Sequence, residues 1–378
     1  MTEDSGETLR LLQETLRRFV EREIVPQGSK WEEQGFVPRD VLREMGRLGF
    51  LGLRYGEEFG GGGLDARATA LLAEELGRST FGGFAITVLV HTDMASPHLV
   101  NAGSTAQIAK YLPKIVSGER ITAVAVTEPD AGSDVKGIRT RAERDGSDYV
   151  LHGSKMFITN GALADLYFVA AKTDPAGGSK GISMFIVEKG MPGFSVGRKL
   201  DKMGWRSSDT AELVFDGCRV PAGNLLGEEH RGFYAIMKNF QNERIAIAAM
   251  AMGEAARAIE LTLEYVKTRK AFGAPLWDKQ AIRQRLSLLS ARVEAGRQLV
   301  RHAAALDAQG RDCVKEVSMA KAYCAELLND VVYDCLQFHG GFGYVKESAI
   351  ERMYRDARVQ TIGGGATEVM LEEVAKRL

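Results

Sequence analysis

Residues 245–253 constrain the fold more than any other stretch, because the run IAIAAMAMG contains only apolar and small residues. The run is rich in alanine and longer than a typical strand, so it predicts a helix. A helix without a polar face must be packed on most of its sides. Two ionisable residues, Glu243 and Arg244, directly precede the run.

Glu243 therefore lies at the mouth of a predicted buried helix. A carboxylate in such a place is costly unless it is paired, and loss of hydration raises its pKa. A general base that works near neutral pH needs a pKa raised in this way. A salt-bridged structural glutamate in the first turns of a helix explains the same residues, so both interpretations stay open at this point.

The composition excludes several classes of function. A length of 378 residues, with 45% hydrophobic and 26% charged residues, is typical of a globular protein of two or three domains. The formal net charge of −1 gives no electrostatic basis for binding nucleic acid or an anionic membrane. The cysteines form no CxxC pair, so no metal site is predicted. No signal segment and no membrane-span run is found, which predicts a cytoplasmic protein.

The hydrophobic period changes twice along the chain. Helical spacing up to about residue 120 is accompanied by the capping residues Asp65 and Ser104. Short β-rich runs follow, with a hairpin signal at Asp145-Gly146. Long helical patterns then return and continue to the end. The sequence predicts an α+β fold: an N-terminal α-helical domain (1–120), a middle antiparallel β-domain (121–228) and a C-terminal four-helix-bundle domain (229–378).

Two stretches of the β-domain could hold a cofactor. Small residues at Gly132 and Ser133 let backbone N–H groups approach an anion such as a pyrophosphate, and Thr127 adds a hydroxyl. Phe157 and Thr159 are two apart on a strand, so an aromatic ring and a hydroxyl share one face. A capped turn and a half-buried strand before an Asn-Gly turn explain the same residues.

Two stretches of the last domain carry similar signals. Arg269 could bind a phosphate bidentately, whereas the glycines after His339 could simply end a helix. The glycine run 363–365 precedes a helix that Thr367 can cap. Backbone N–H groups at a helix N-terminus form a site for an anion or a carbonyl, and Glu368 suits the helix dipole.

Taken together, residues 127–134, 156–161, 203–210, 269–273 and 337–341 resemble the acyl-CoA dehydrogenases, and the resemblance covers about residues 8–378. It implies FAD as cofactor and a homotetramer. The implied flavin and pyrophosphate contacts are Val124, Val126, Thr127, Gly132, Ser133, Phe157, Ile158 and Thr159. The implied contacts to the adenylate end, across a subunit boundary, are Arg269, Phe272, Gln280, Gln337, Phe338, His339, Gly340 and Gly341. Ala366, Thr367 and Glu368 are further implied FAD contacts.

The resemblance also implies the catalytic residues. Many members carry the base in the final loop, where this chain has Gly364. A branch that resembles the long-chain and isovaleryl enzymes carries it on the long helix before an arginine, which matches Glu243. The Gly364 N–H is then expected to bind the thioester carbonyl. The implied acyl-CoA contacts are Ser133, Gln241, Arg244, Gly364 and Gly365.

The predicted activity is FAD-dependent α,β-dehydrogenation of an acyl-CoA to the trans-2-enoyl-CoA in fatty-acid β-oxidation, with electrons passed to an electron-transfer flavoprotein. The missing loop acid is expected to leave space over the flavin, which favours medium, long or branched acyl chains. Alternatives are a flavin monooxygenase or an acyl-CoA lyase on the same fold, and a non-catalytic helical interaction protein.

Overall fold

The computed structural model describes residues 3–378, with side chains from Gly6 onward. Between Glu3 and Val116 the described part of the chain forms seven α-helices. Asp65 caps the fourth through the Arg67 N–H, and Ser104 forms a capping box with Gln107 at the start of the seventh. The helices are α1 (Glu3–Phe19), α2 (Val25–Gln34), α3 (Arg39–Arg47), α4 (Ala66–Gly77), α5 (Gly82–Leu89), α6 (Pro97–Ala102) and α7 (Thr105–Val116).

A sheet of eight strands follows. The strands are β1 (Thr122–Ala125), β2 (Arg141–Asp145), β3 (Asp148–Thr159), β4 (Leu166–Lys172), β5 (Ile182–Glu188), β6 (Phe194–Lys199), β7 (Thr210–Pro221) and β8 (Leu225–Leu226). Their order is β6-β7-β3-β2-β4-β5-β8, and β1 pairs with β4. The hairpin predicted at Asp145-Gly146 joins β2 to β3. The prediction that this sheet is antiparallel holds for most pairs but is wrong at β4, which runs parallel to its neighbours β1 and β2.

The last part of the chain is again helical. It contains α8 (Gly232–Thr268), a small hairpin of β9 (Lys270–Ala271) and β10 (Ala274–Pro275), α9 (Gln280–Ala308), α10 (Val314–His339), α11 (Ala349–Ala357) and α12 (Thr367–Ala375). The helices α8, α9 and α10 pack on one another, and α11 and α12 pack against α10. This arrangement confirms the predicted helical, β, helical fold with a C-terminal bundle. The domain boundaries at residues 120 and 228 stay predictions.

Helix α8 is the central element. Every residue from 245 to 253 is buried, as the apolar run predicts. Helix α4 crosses α8 with close backbone contact: a Cβ added to Gly253 would lie 1.9 Å from the Glu74 carbonyl oxygen. A Cβ added to Gly77 would lie 2.3 Å from the Met250 carbonyl oxygen. The crossing therefore needs glycine on both helices, and it fixes α8 against the N-terminal helices.

Two smaller features complete the description. Thr367 does not cap α12, since the cap position is Ala366 and the Thr367 hydroxyl donates instead to Glu326 Oε1 at 2.9 Å. Among residues 3–378, no helix is long and apolar enough to cross a membrane.

Candidate active site

Glu243 lies on α8 with only 8% of its surface exposed. Its Oε1 accepts a hydrogen bond from Asn239 Nδ2 at 3.0 Å, one helical turn earlier. The same amide nitrogen donates to the Met94 carbonyl at 2.7 Å, which fixes its orientation. Burial raises the pKa of Glu243 to about 7, against the opposing effects of the Asn239 hydrogen bond and the Arg244 charge. Among the described residues, no cation forms an ion pair with this carboxylate.

The next turn of α8 faces the glycine loop 363–365. Gly364 has a φ of 64°, and a Cβ added there would lie 2.2 Å from Cδ1 of Ile247. Ile247 is four residues beyond Glu243, so both side chains lie on one face of α8. The space that a side chain at 364 needs is therefore filled by Ile247. The expectation that the missing loop acid leaves space over the flavin stays a prediction.

Gly364 itself is exposed, and its N–H donates no hydrogen bond to any other group in the described part of the chain. A free backbone donor beside Glu243's face of α8 is able to bind a carbonyl oxygen. The Gly365 carbonyl is occupied, since it accepts a hydrogen bond from the buried ammonium of Lys321 on α10. The structure thus pairs one free donor with one fixed carbonyl in the same loop.

Two cations lie behind this loop. Arg244 is buried, its Nη1 lies 3.4 Å from Ser318 Oγ, and its Nε has no hydrogen-bond partner. Lys321 is fully buried, and its pKa falls to about 8 through burial and then the Arg244 charge. Neither forms an ion pair with a carboxylate in residues 6–378. Of these two cations, Arg244 acts on Glu243 and lowers the pKa of its carboxyl, against the effect of burial.

A cavity of about 530 Å³ opens beside the start of α8. Asn239 and Gln241 line it from α8, and Arg54, Asp93 and Arg311 line it from other elements. Gln241 Oε1 accepts a hydrogen bond from Cys313 Sγ at 3.2 Å, so its amide is held at the wall. The cavity reaches Asn239, the hydrogen-bond partner of Glu243.

The predicted flavin face lies at the end of β3. The ring of Phe157 is 61% exposed, and this residue has a φ of 59°. It lies where the pairing of β3 with β7 shifts register between Lys155 and Ile158. A large apolar side chain held outward in a left-handed conformation at a bulge is a local strain typical of a binding site.

Several of the predicted FAD contacts are free donors. The hydroxyls of Thr127, Ser133 and Thr159 and the amides of Gly132 and Ser133 make no hydrogen bond to other described residues. A Cβ added to Gly132 would meet nothing within 4 Å. The exposed Phe157 ring and these unpaired donors fit the flat, hydrogen-bonding ring and the phosphates of FAD.

Other predicted contacts are limited to backbone atoms. The Ile158 side chain is buried in the core of the sheet, and Val124 and Val126 are partly buried. The His339 ring is also buried, where it stacks on Tyr265 and bonds to the Cys335 carbonyl at 2.7 Å. Thus Ile158 and His339 can offer a cofactor only main-chain groups.

The predicted adenylate contacts form a separate set at the other end of α8. Phe272 is 96% exposed, and most of its companions are also exposed, namely Arg269, Gln280, Gln337, Gly340 and Gly341. Phe338 is partly buried. Arg269 follows the last residue of α8, about 40 Å along the helix axis from Glu243 at 1.5 Å per residue. The structure does not bring this set together with Glu243.

Comparison with known proteins identifies the family. Residues 6–119, 123–218 and 230–378 match the N-terminal, middle and C-terminal domains of acyl-CoA dehydrogenase, in that order. The chain is 43% identical over 370 residues to the mitochondrial long-chain specific acyl-CoA dehydrogenase of Mus musculus, which covers 97% of this chain and 86% of that protein. The chain belongs to the acyl-CoA dehydrogenase family. It is therefore an enzyme of FAD-dependent acyl-CoA dehydrogenation.

Solved structures agree. The acyl-CoA dehydrogenase of Geobacillus kaustophilus superposes with a TM-score of 0.94 at 40% identity, covering 98% of both chains. A chain from the structure described as the electron transferring flavoprotein of Acidaminococcus fermentans superposes with a TM-score of 0.96 at 37% identity, covering all of this chain and 98% of that one. FAD is the cofactor of the family, and the exposed Phe157 with its free donors fits it.

Sequence reasoning missed three residues at this site. Asn239 could have been found, because a residue four positions before Glu243 lies on the same helix face. Ile247 follows the same spacing, but its contact with Gly364 joins residues far apart in the chain. Lys321 carried no signal, since a lysine in a helical pattern is ordinarily solvated.

Proposed function

We propose that this protein oxidises a CoA thioester between Cα and Cβ to the trans-2-enoyl-CoA, with Glu243 as the base. The observation that carries the proposal is the state of the Glu243 carboxyl. It is buried, it has no ion-pair partner among the described residues, and its pKa is about 7. At neutral pH such a group exists in both protonation states, as proton abstraction requires.

Each residue of the proposed site has a separate role that follows from its position. Glu243 takes the α-proton, which the thioester carbonyl acidifies. The free Gly364 N–H donates to the carbonyl oxygen, where negative charge develops. Ile247 closes the side of the loop from which other members supply a base. FAD, when bound, would accept the β-hydrogen as hydride. Phe157 and Thr159 would hold its flavin ring in position.

A base in the loop is not an alternative in this chain. Gly364 has no side chain, and Ile247 fills the space beside it. Glu368 is exposed in the first turn of α12, four residues beyond the loop glycine. Its carboxylate is solvated, so it lacks the buried surroundings of Glu243. Among Gly364, Glu368 and Glu243, only Glu243 has a carboxyl group that is buried.

We propose that the protein is a homotetramer in which the adenylate contacts bind the FAD of a second protomer. The support is the separation of about 40 Å along α8 between Glu243 and Arg269. The exposure of Phe272 adds to it, since a ring that is 96% exposed in one chain is suited to being covered by another. Ala366 and Thr367, next to the glycine loop, are proposed FAD contacts from the same side.

The electron acceptor and the acyl chain are finer proposals. Electrons are proposed to pass to an electron-transfer flavoprotein, supported by the fold shared with the chain from the Acidaminococcus fermentans structure. A medium, long or branched acyl chain is supported by the identity to the long-chain enzyme of Mus musculus. Ser133, Gln241 and Arg244 are proposed to contact the CoA portion.

The test compares two isosteric changes on one helix. Glu243→Gln removes the proposed base, whereas Glu254→Gln changes a second buried glutamate, which bonds to Gln360. Purified holoproteins are mixed anaerobically with acyl-CoAs of varied length, and loss of the visible flavin absorbance is followed. We expect E243Q to slow the loss by about 10²- to 10⁴-fold and E254Q to react like the parent. A flavin that keeps its absorbance in the parent would favour the lyase or monooxygenase alternative.

A further inference from the structure

Lys321 is a buried cation whose place in the fold needs an explanation. Its side chain is fully buried on α10, yet the described residues offer it no carboxylate within ion-pair distance. Its ammonium donates instead to the carbonyl of Gly365. The largest effect of another charge on its pKa comes from a second cation, Arg244, which lowers it, while the Glu326 and Glu368 carboxylates raise it. An unpaired ammonium in such a position is costly, and a neutral side chain of similar size would pack there at lower cost.

The loop that Lys321 contacts has few other restraints. Gly364 and Gly365 have φ values of 64° and 101°, and three successive glycines lose much conformational freedom when they are ordered. On one side, the Gly363 N–H bonds to the Val359 carbonyl at 2.8 Å. On the other side, the Gly365 carbonyl accepts a hydrogen bond from the Lys321 ammonium. Lys321 therefore ties the glycine loop to α10.

The hydrogen bond from Lys321 to the loop lies next to the free N–H of Gly364. The peptide N–H of Gly364 has no acceptor among residues 3–378, and it is one residue from the carbonyl that Lys321 holds. Ile247 packs on the same glycine from α8. A donor that stabilises charge must be held in position before the ligand arrives, because reorganisation removes its benefit. The loop is held by a side chain from α10 and limited by one from α8.

We propose that Lys321 is a positioning residue: it holds the Gly365 carbonyl, and thereby aims the Gly364 N–H at the thioester oxygen of the acyl-CoA. The inference rests on the proposed function, which supplies the thioester ligand. Lys321 does not touch the reacting atoms. Its effect is confined to ligands that present a carbonyl to the loop.

The test uses two ligands that differ by that carbonyl. One is a 2-enoyl-CoA thioester, and the other is the S-alkyl-CoA thioether of the same chain length. Their dissociation constants are measured on the holoprotein by titration of the flavin spectrum. We expect Lys321→Met to weaken the thioester by about tenfold, the loss of roughly one hydrogen bond, and to leave the thioether unchanged. Lys321→Gln, which keeps a neutral donor, should recover part of the difference.

The matched control is Lys202, a partly buried lysine that also donates to a backbone carbonyl, that of Ser208, at 2.5 Å. Lys202→Met should leave the ratio of the two constants unchanged. An unchanged ratio in K321M, or equal weakening of both ligands, would overturn the proposal. If K321M does not retain FAD, the ratio of the two dissociation constants in K321Q is the test instead.

The same assay separates this inference from the base assignment. Neither ligand is turned over, so Glu243→Gln should keep the parent's ratio whether or not Glu243 is the base. A parent holoprotein that binds neither ligand would overturn the proposed function and, with it, the role of Lys321.

Discussion

Gly364→Ala tests whether Ile247 really fills the side-chain space of the loop. An alanine there pays two penalties. A left-handed φ of 64° costs a non-glycine residue roughly 1–2 kcal/mol. Overpacking adds about 1–3 kcal/mol, because the new Cβ would lie 2.2 Å from Ile247 Cδ1. We expect the free energy of unfolding to fall by roughly 2–5 kcal/mol.

Ile247→Val separates the two penalties, because it deletes the one atom in conflict. The next atom, Ile247 Cγ1, lies 3.7 Å from the added Cβ, an ordinary contact. Alone, I247V should cost about 0.5–1.5 kcal/mol. In the double variant only the backbone penalty and the loss from Ile247 remain, so it should be more stable than the sum predicts by roughly 1–3 kcal/mol.

The assay is urea unfolding of the four holoproteins at one FAD concentration, followed by far-UV circular dichroism and by flavin fluorescence. Coincident transitions are required for the cycle to be read as free energies. Additivity within about 0.5 kcal/mol would refute the reasoning, because Ile247 would then not occupy the space beside Gly364.

Three further predictions concern buried charges. Activity should rise with pH through about 7 as Glu243 ionises, and a pH profile of kcat/KM measures this rise. Asn239→Ala should shift the rise to higher pH, because the hydrogen bond from Asn239 lowers the pKa of the Glu243 carboxyl. A pH profile that does not shift in this variant would contradict the role of Asn239. Burial raises the pKa of Glu254 well above its usual value, so the stability that protonated Glu254 contributes to the fold is lost as pH rises. The Tm of E254Q should therefore fall less than that of the parent at alkaline pH. An equal fall of Tm in both proteins would refute this. Glu128→Gln should lower the free energy of unfolding by about 3–5 kcal/mol, because it leaves the buried Lys155 unpaired. The double variant E128Q/K155M should recover part of this loss, as measured by urea unfolding. A double variant that recovers no stability would exclude the ion pair as the cause.

The sequence predicts most of the helices, because their signals are local. The apolar run 245–253 defines the core of α8, and Asp65 and Ser104 both act as the caps they were predicted to be. Strand β6 carries little local signal, because it is a largely exposed strand without a full alternation of apolar residues. The parallel pairing of β1 with β4 depends on chain topology, which local patterns do not contain.

The site divides in the same way. Glu243 and the exposed Phe157 could be chosen from residue type and spacing. The contact between Ile247 and Gly364 and the bond from Lys321 to Gly365 could not, because each joins elements that meet only in the folded chain. On the α8 side of Gly364, for example, the place of a side chain missing from one segment is taken by a side chain from another.

The central claim is that Glu243 abstracts the α-proton, and isotope exchange tests this step without oxidation. The ligand is 3,3-dimethylbutanoyl-CoA, whose β-carbon carries no hydrogen to transfer. The holoprotein is incubated with it in D₂O, and deuterium at Cα is followed by mass spectrometry. We predict exchange by the parent and by E254Q, and exchange slowed by at least about 10²-fold in E243Q. Exchange by E243Q at the parental rate would contradict the assignment.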